Sequence, residues 1–331
     1  MSTSSDSRAR ARESGIATEP DFFIVGHAKC GTTALYEMLR GHPEIFMPEL
    51  KEPAYFATDL RRRFQPPGAG PLPETLEDYL ALFAGAREGQ RVGEASSLYL
   101  WSHDAARAIG AMSRDAQIIA ILREPASFLR SLHLQLLQNH IEDEKRLRRA
   151  IELEPERRAG RRIPRRSVRP KALLYSERVR YAEQLRRYHD VFGHERVLVL
   201  IYEDFRADNE GTVRRVQRFL GVDDKLPIER REANPTVMMR SQQLDEVVNA
   251  VAVGRGRAGG AVKKVVKGVV PAGVRARMLR TTQRRLVQGP PEPPDPELML
   301  ELRRRFKPEV QELSSYLGRD LVAEWGYDRL G

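Results

Sequence analysis

The sequence predicts an α/β fold, a central parallel sheet flanked by helices, from its length and from the order of its apolar segments. Three apolar segments of strand length, at residues 22–25, 116–122 and 197–201, are each followed by a helical pattern. Strands that alternate with helices are typical of a parallel sheet, because each connection must cross the sheet. At 331 residues the chain can bury a full core. We therefore expect one domain over residues 19–331 with helical insertions, after a polar segment, residues 1–18, predicted to be disordered.

The first strand, residues 22–25, continues into a turn bounded by glycines and a helix start that carries hydroxyl groups. Gly26 and Gly31 bound the turn, and Thr32 and Thr33 follow it. This arrangement is typical of a phosphate-binding loop, because N–H groups at a helix N-terminus point at an anion and glycines let the backbone approach it. The segment therefore predicts a P-loop-like phosphate site.

The position of the lysine distinguishes this loop from the loop of ATP-binding proteins. In the nucleoside-triphosphate loop a lysine follows the second glycine, but here Thr32 occupies that position and Lys29 lies three residues earlier. The Lys29 charge can reach the outer side of a bound 5′-phosphate. The pattern favours a nucleotide without a γ-phosphate and weakens the alternative of a P-loop nucleotide kinase.

The turn and the helix start resemble the 5′-phosphosulfate loop of sulfotransferases that use 3′-phosphoadenosine 5′-phosphosulfate (PAPS). The matching segment is Lys29-Cys30-Gly31-Thr32-Thr33-Ala34-Leu35. The resemblance implies a P-loop-like sulfotransferase fold, PAPS as cofactor with PAP as its product, and no metal requirement. It further implies that residues 29–34, including Cys30 and Ala34, bind the cofactor, and that Lys29 stabilises the leaving phosphate. For the Cys30 thiol itself, a small buried residue is the better interpretation than a catalytic group, since no histidine motif accompanies it.

Two later segments match the same family in the same order. Arg123 follows the second strand, and Ser131 lies eight residues further on the predicted helix, an interval that resembles the family's 3′-phosphate site. The third strand is predicted to end in Tyr202-Glu203-Asp204, which is similar to the family's "YED" strand and implies that Tyr202 lies against the adenine. From the residues alone, Arg123 and Ser131 could be a helix-end arginine and a solvent-facing serine, and Tyr202 a core tyrosine.

The acceptor hydroxyl needs a base, for which the sequence offers three candidates. Glu52, in Lys51-Glu52-Pro53, resembles in position the catalytic glutamate of glycan sulfotransferases and is the leading candidate. Glu94 is the reserve, and His27 is a weaker one. The chain departs from both large branches of the family, because it lacks the histidine motif of small-molecule enzymes and has Ala95 where glycan enzymes often carry a lysine. The expected acceptor is therefore a small molecule, a natural product or a glycoside.

The net charge of +10 raises the question of a polyanionic partner. A basic segment, residues 155–171, is interrupted by Gly160 and Pro164 and is predicted to be a loop, most simply a solvated surface run. Residues 245–288 are predicted to form a basic amphipathic helical region that could pack on the core, cover the acceptor pocket or lie on a membrane. The basic segment has no aromatic residues for stacking bases, so we expect no nucleic-acid partner. A basic membrane- or nucleic-acid-binding protein is the non-enzymatic alternative.

The cellular setting is predicted from what the sequence lacks. The chain has a single cysteine, which excludes an intramolecular disulfide and suits a reducing compartment. No apolar run approaches the roughly 20 residues that a membrane span needs, although peripheral contact with a membrane stays open. We therefore expect a cytoplasmic enzyme, and within the family that the motifs resemble, the missing membrane anchor looks more like the bacterial enzymes that tailor natural products than like Golgi enzymes.

Overall fold

A computed structural model describes residues 18–60, 72–165, 167, 169–228, 238–239, 288–289 and 293–330. Almost all of the predicted disordered segment 1–18 and of the basic amphipathic region 245–288 lies outside these residues, so both predictions stay untested. Within the described ranges, no helix is long and apolar enough to cross a membrane.

The described residues contain a five-stranded sheet in which all strands are parallel. Its strands are β1 (Phe22–Ile24), β2 (Ile45–Phe46), β3 (Arg91–Ala95), β4 (Gln117–Leu122) and β5 (Val197–Ile201), and their spatial order is β2-β3-β1-β4-β5. Ile24 at the end of β1 lies opposite Ala95 of β3 and Ile119 of β4. All three residues of β1 are fully buried, because helices cover both faces of a parallel sheet, and the strand is accordingly apolar throughout. The predicted central parallel sheet is confirmed.

Helices cover this sheet. Their bounds are α1 (Thr32–Arg40), α2 (Leu76–Ala81), α3 (Ala105–Met112), α4 (Pro125–Gln138), α5 (Leu147–Glu152), α6 (Glu154–Arg158), α7 (Tyr181–Phe192), α8 (Tyr202–Ala207), α9 (Asn209–Leu220), α10 (Pro296–Leu317) and α11 (Leu321–Glu324). Single-turn 3₁₀ helices span Pro170–Leu173, Tyr175–Val179 and His194–Arg196, and a separate antiparallel pair joins β6 (Met238–Met239) to β7 (Gln288–Gly289).

The helix boundaries follow from local signals in most places and differ from the prediction in one. Pro125 occupies the first turn of α4, where its missing N–H costs nothing, and α9 ends at Gly221 in the left-handed conformation. The expectation that Tyr202-Glu203-Asp204 ends a strand was wrong, because β5 ends at Ile201 and these residues form the first turn of α8. The helix dipole stabilises acidic side chains in that turn.

The basic segment 155–171 is not a uniform solvated run. Arg157 ends up inside the protein, where Nη1 and Nη2 each donate to the Glu142 carboxylate at 2.7 Å, while neighbouring Arg158 is exposed and pairs with Glu177. A bidentate ion pair with matched geometry compensates for the cost of burying the Arg157 charge. The segment begins as helix α6 rather than as a loop.

Candidate active site

The carboxyl ends of four strands border one cavity of about 550 Å³. Lys29 comes from the turn after β1, Ser97 from the residues after β3, Arg123 directly follows β4, and Tyr202 directly follows β5. In open parallel sheets this edge is the place where ligands bind, because the helix N-termini and the turns before them meet there. The topology thus brings together side chains that lie up to 173 residues apart.

The turn after β1 has the geometry of an anion cradle. Gly31 adopts φ +90° immediately before α1, and Lys29 adopts φ +69°, both in the left-handed region. A Cβ at Gly31 would lie 3.1 Å from ring carbons of Tyr202 and Phe205, and a Cβ at Gly26 would lie 2.3 Å from Cγ2 of Ile121. Both glycines are therefore required for close packing of the turn against β4 and α8.

Arg123 is anchored to this turn. Its Nη1 donates to the backbone oxygen of Lys29 at 2.9 Å, its Nε donates to Oγ of Ser127 at 3.3 Å, and its guanidinium lies over the Tyr202 ring at 4.7 Å from the centroid. Burial, and then the Arg123 charge, lower the pKa of Lys29. Two cations that repel each other are thus held together at the turn, an arrangement that an anion between them would stabilise.

Glu52 presents its carboxylate to the same cavity. The backbone N–H of Glu52 donates to the Ala95 carbonyl at the end of β3, and Oε2 accepts hydrogen bonds from N–H and Oγ of Ser97 at 2.8 and 2.7 Å. Lys51 Nζ lies 2.7 Å from Oε1, and the Glu52 side chain keeps 36% of its surface exposed. Burial alone would raise the pKa of Glu52, but the Lys51 charge and the hydrogen bonds from Lys51 and Ser97 outweigh it and lower the pKa. Glu52 is therefore ionised at neutral pH.

Backbone strain concentrates at this cavity. Five described residues other than glycine have positive φ, and three of them, Lys29, Glu52 and Ala54, line the cavity. Such conformations cost free energy and persist where the surrounding structure enforces them, which is typical of functional sites. The Ala54 N–H donates to Ser96 Oγ at 2.9 Å, so the segment that carries Glu52 is tied to the end of β3 at two points.

Glu94 lies beneath the cavity and does not line it. Its carboxylate is fully buried and accepts hydrogen bonds from the hydroxyls of Tyr79 (2.9 Å), Tyr99 (2.6 Å) and Ser96 (2.8 Å). Burial raises the pKa of Glu94 to about 7, although these hydrogen bonds act in the opposite direction. The geometry gives Glu94 a structural role, because its oxygens are occupied by donors from the core.

His27 is also buried and lies outside the cavity lining. Its Nε2 is 2.8 Å from Oε1 of Gln184, and its Nδ1 is 3.3 Å from Nη2 of Arg178. Burial, followed by the Arg178 charge, lowers the pKa of His27 well below its usual value, so the ring is neutral. Both ring nitrogens are engaged within the protein, which leaves neither for an acceptor hydroxyl.

The remaining predicted residues divide between the cavity and the core. Thr32 and Thr33 line the cavity together with Gly31. Cys30 is fully buried, and burial raises the pKa of its thiol to about 12, which keeps it protonated. Ala34 is 6% exposed on α1, and Ser131 is 3% exposed on α4 and does not line the cavity, so the roles predicted for these two residues stay predictions.

The cavity also contains side chains that the sequence did not single out as site residues. Ser97 holds Glu52, and Trp101, Arg169 and Arg178 form part of the wall. Arg169 belongs to the basic segment, where an arginine that points inward looks the same in sequence as its exposed neighbours. Arg178 could not have been singled out either, because it lies among mostly polar and charged neighbours in a segment that the pattern did not assign to a helix or strand.

No group of three or more His, Cys, Asp or Glu side chains in the described ranges is placed to hold a metal ion. Whether the reaction uses a metal therefore stays at the level of the sequence prediction.

Comparisons with known proteins agree with this geometry. Residues 19–249 match the family model described as "Sulfotransferase domain". Human carbohydrate sulfotransferase 15 is 31% identical over 156 residues, covering 35% of this chain and 27% of the relative. Mouse heparan sulfate glucosamine 3-O-sulfotransferase 3A1 is 30% identical over 125 residues, covering 38% and 28%. The chain thus spans about a quarter of the length of these curated relatives. The crystal structure of a sulfotransferase from Alicyclobacillus acidocaldarius superposes with a TM-score of 0.64 at 27% identity, covering 92% of this chain and 98% of that one.

Proposed function

The chain belongs to the sulfotransferase family, and we propose that it transfers a sulfuryl group from PAPS to a hydroxyl of a small molecule, natural product or glycoside. The observation that carries the proposal is the meeting of Lys29, Arg123 and Tyr202 in one cavity that also contains the ionised Glu52. We further propose that it is a cytoplasmic tailoring enzyme of bacteria; the similar sulfotransferase from Alicyclobacillus acidocaldarius supports the sulfotransferase part of this proposal.

The residues at the turn fit a nucleotide with phosphates at two positions. Gly31, Thr32 and Thr33 offer backbone and hydroxyl donors at the start of α1, which suits a 5′-phosphate. The planar guanidinium of Arg123 offers paired donors that suit a second phosphate. The Tyr202 ring lies beside it and suits stacking with the adenine ring of a nucleotide. When bound, PAPS supplies the activated sulfuryl group.

In the proposed reaction, Glu52 accepts the proton of the acceptor hydroxyl, because its carboxylate is ionised and open to the cavity. The acceptor oxygen forms a new bond to sulfur as the bond from sulfur to the leaving phosphate oxygen breaks. Lys29 neutralises the charge that develops on that oxygen. The products are a sulfate ester, PAP and protonated Glu52, which returns its proton to water.

The test is calorimetric binding of PAP, AMP, ADP and ATP, with and without magnesium, to the wild-type chain and to Arg123→Ala. We expect metal-independent binding that requires the 3′-phosphate and weakens at least about tenfold in Arg123→Ala, because a charged hydrogen-bond partner is lost. Arg196→Ala is the matched control, since Arg196 precedes β5 at the opposite edge of the sheet and pairs with Asp115 on the surface.

Two outcomes would contradict the proposal. A preference for ATP with magnesium would favour a nucleotide kinase. An absence of nucleotide binding, with salt-sensitive affinity for polyanions or acidic vesicles, would favour a basic binding protein.

A further inference from the structure

Arg178 is a buried cation in the cavity wall that has no acidic partner. It is 3% exposed, and no carboxylate in the described part of the chain lies within salt-bridge distance of it. Its Nε is buried without a hydrogen-bond partner there. Burial lowers the pKa of Arg178 to about 10, which still leaves the guanidinium charged at neutral pH. A buried charge without a counter-ion is costly, so its retention needs a reason.

The surroundings of Arg178 fix its position without neutralising it. The guanidinium stacks on the Trp101 ring at 4.1 Å from the centroid. Gln184 donates from Nε2 to the carbonyls of Glu177 and Arg178, so its Oε1 accepts from Nε2–H of His27. Nδ1 of His27 then carries no proton and accepts from Nη2 of Arg178 at 3.3 Å. This series of neutral contacts orients the arginine and leaves its charge available.

A second arginine extends this positive wall toward Glu52. Arg169 lines the same cavity, and its Nε is also buried with no partner among the described residues. Burial lowers the pKa of both arginines, and both line the same cavity as Glu52. Lys51, the other cation nearby, is already paired with Glu52. Two arginines therefore line the cavity that also contains the proposed base.

We propose that Arg178 and Arg169 bind an anionic group of the acceptor, a carboxylate or a sulfate, close to the hydroxyl that becomes sulfated. This inference rests on the proposed function. In the proposed function the cofactor's phosphates bind the turn after β1 and Arg123, whereas Arg169 and Arg178 line the same cavity as Glu52, where the acceptor must react. Planar guanidinium groups suit compact oxyanions, which they bind through paired hydrogen bonds.

The test uses pairs of acceptors that differ in one charged group. One pair is p-nitrophenyl β-D-glucuronide and p-nitrophenyl β-D-glucoside, and the other is p-nitrophenyl N-acetyl-β-D-glucosaminide with and without a 6-sulfate. Binding of each to the enzyme–PAP complex is measured by calorimetry, and transfer is measured with radiolabelled PAPS. The variants are Arg178→Gln and Arg169→Gln. Arg180→Gln is the matched control, because Arg180 is exposed and pairs with Glu183.

We expect the charged member of at least one pair to bind wild type about tenfold or more tightly than its neutral partner. Arg178→Gln and Arg169→Gln should each reduce that preference and leave the PAP dissociation constant within about twofold. The pair that shows the preference identifies whether a carboxylate or a sulfate is recognised. Arg169→Gln keeps the test valid if Arg178→Gln fails to fold, since Arg169 is only partly buried.

Three results would overturn the inference. They are the absence of a charge preference in wild type for both pairs, a preference that survives both substitutions, and a loss of PAP affinity in Arg178→Gln as large as its loss of acceptor affinity. Failure of the proposed function is distinguished by the wild-type control, because in that case wild type would not bind PAP at all.

Discussion

At the scale of the residue, the two glutamates Glu52 and Glu94 have pKa values that are shifted in opposite directions. Glu94 lies in β3 and Glu52 is hydrogen-bonded to the end of the same strand, yet the pKa of Glu52 is lowered and that of Glu94 is raised to about 7. Burial raises the pKa of Glu94, which has only neutral hydroxyls as donors, whereas the Lys51 charge and the hydrogen bonds to Glu52 outweigh the effect of burial there. The environment therefore assigns the two carboxyl groups different roles.

Glu52→Gln should lower kcat by about 10²-fold or more, because the amide cannot take the proton from the hydroxyl that becomes sulfated. PAP affinity should stay unchanged, since the side-chain hydrogen bonds of Glu52 go to Lys51 and Ser97 and not to the turn after β1. The measurements are initial rates with radiolabelled PAPS and calorimetry with PAP. Glu49→Gln is the control, with a side chain that is 95% exposed. Retained turnover in Glu52→Gln would contradict the assignment of Glu52 as the base.

Glu94 should make stability depend on pH. Its pKa is raised from 4.5 to about 7 on folding, so the folded state binds the proton more tightly. The resulting stabilisation is complete below about pH 4.5 and is lost as the pH rises through about 7, a change of about 3 kcal/mol. Urea unfolding at pH 4.5, 6 and 8 should therefore show wild type losing stability relative to Glu94→Gln. Parallel pH profiles of the two proteins would show that this pKa is not raised.

At the scale of the element, the turn between β1 and α1 depends on backbone conformation as much as on its side chains. Gly31 supplies a left-handed conformation and, by lacking a Cβ, lets Tyr202 and Phe205 of α8 pack against the turn. The turn in turn holds Arg123 through the Lys29 carbonyl. A change at this one position is therefore transmitted to three strand ends.

Gly31→Ala should destabilise the fold by roughly 1–2 kcal/mol for the left-handed conformation, and more if the two rings must move. It should also weaken PAP binding at least about tenfold, because the cradle shifts. Gly89→Ala is the matched control, because Gly89 has φ +80° but a Cβ added there would meet no atom within 4 Å. Gly89→Ala should lose similar stability and retain PAP affinity in urea unfolding and calorimetry. Equal PAP affinity in both variants would contradict the assigned role of the turn.

At the scale of the whole molecule, the C-terminal part completes the core beyond the residues that match the family model. Helix α10 packs on α4 and α7 and buries Leu302, Phe306, Val310 and Leu313. Beyond it, Tyr327 is fully buried, and its hydroxyl donates to the Glu124 carboxylate at 2.5 Å. Glu124 caps α4 directly after Arg123, so the chain end supports the helix beside the cavity. We propose on this basis that residues 19–331 fold as one domain.

Tyr327→Phe should lower the free energy of unfolding by about 1–3 kcal/mol, because it removes a buried hydrogen bond to a carboxylate. Tyr316→Phe provides the comparison, since the Tyr316 hydroxyl contacts His189 near the surface, and its loss should cost about 1 kcal/mol or less. Urea unfolding at pH 7 measures both. Equal small losses would mean that the chain end does not support α4.

Local patterns predicted the parts of the fold and site that depend on neighbouring residues. Three of the buried strands and the glycine turn after β1 were predicted. The family resemblance of residues 29–35 is confirmed by the match over residues 19–249. The error at Tyr202-Glu203-Asp204 arose because an apolar strand gives no sign of where a helix begins when no turn residue separates them.

The sequence by itself determined three strands of the sheet, the helices after them and the glycine turn after β1, because periodicity and spacing act over short distances along the chain; its motifs also resembled the family. Only the tertiary structure decided which charged side chains face the cavity. His27 and Gln184 lie 157 positions apart, and their contact orients Arg178. Contacts between residues so far apart in the chain depend on the spatial order of the strands, which local patterns do not encode. In the same way, an arginine that faces the cavity, such as Arg169, has the same local sequence pattern as one that faces the solvent.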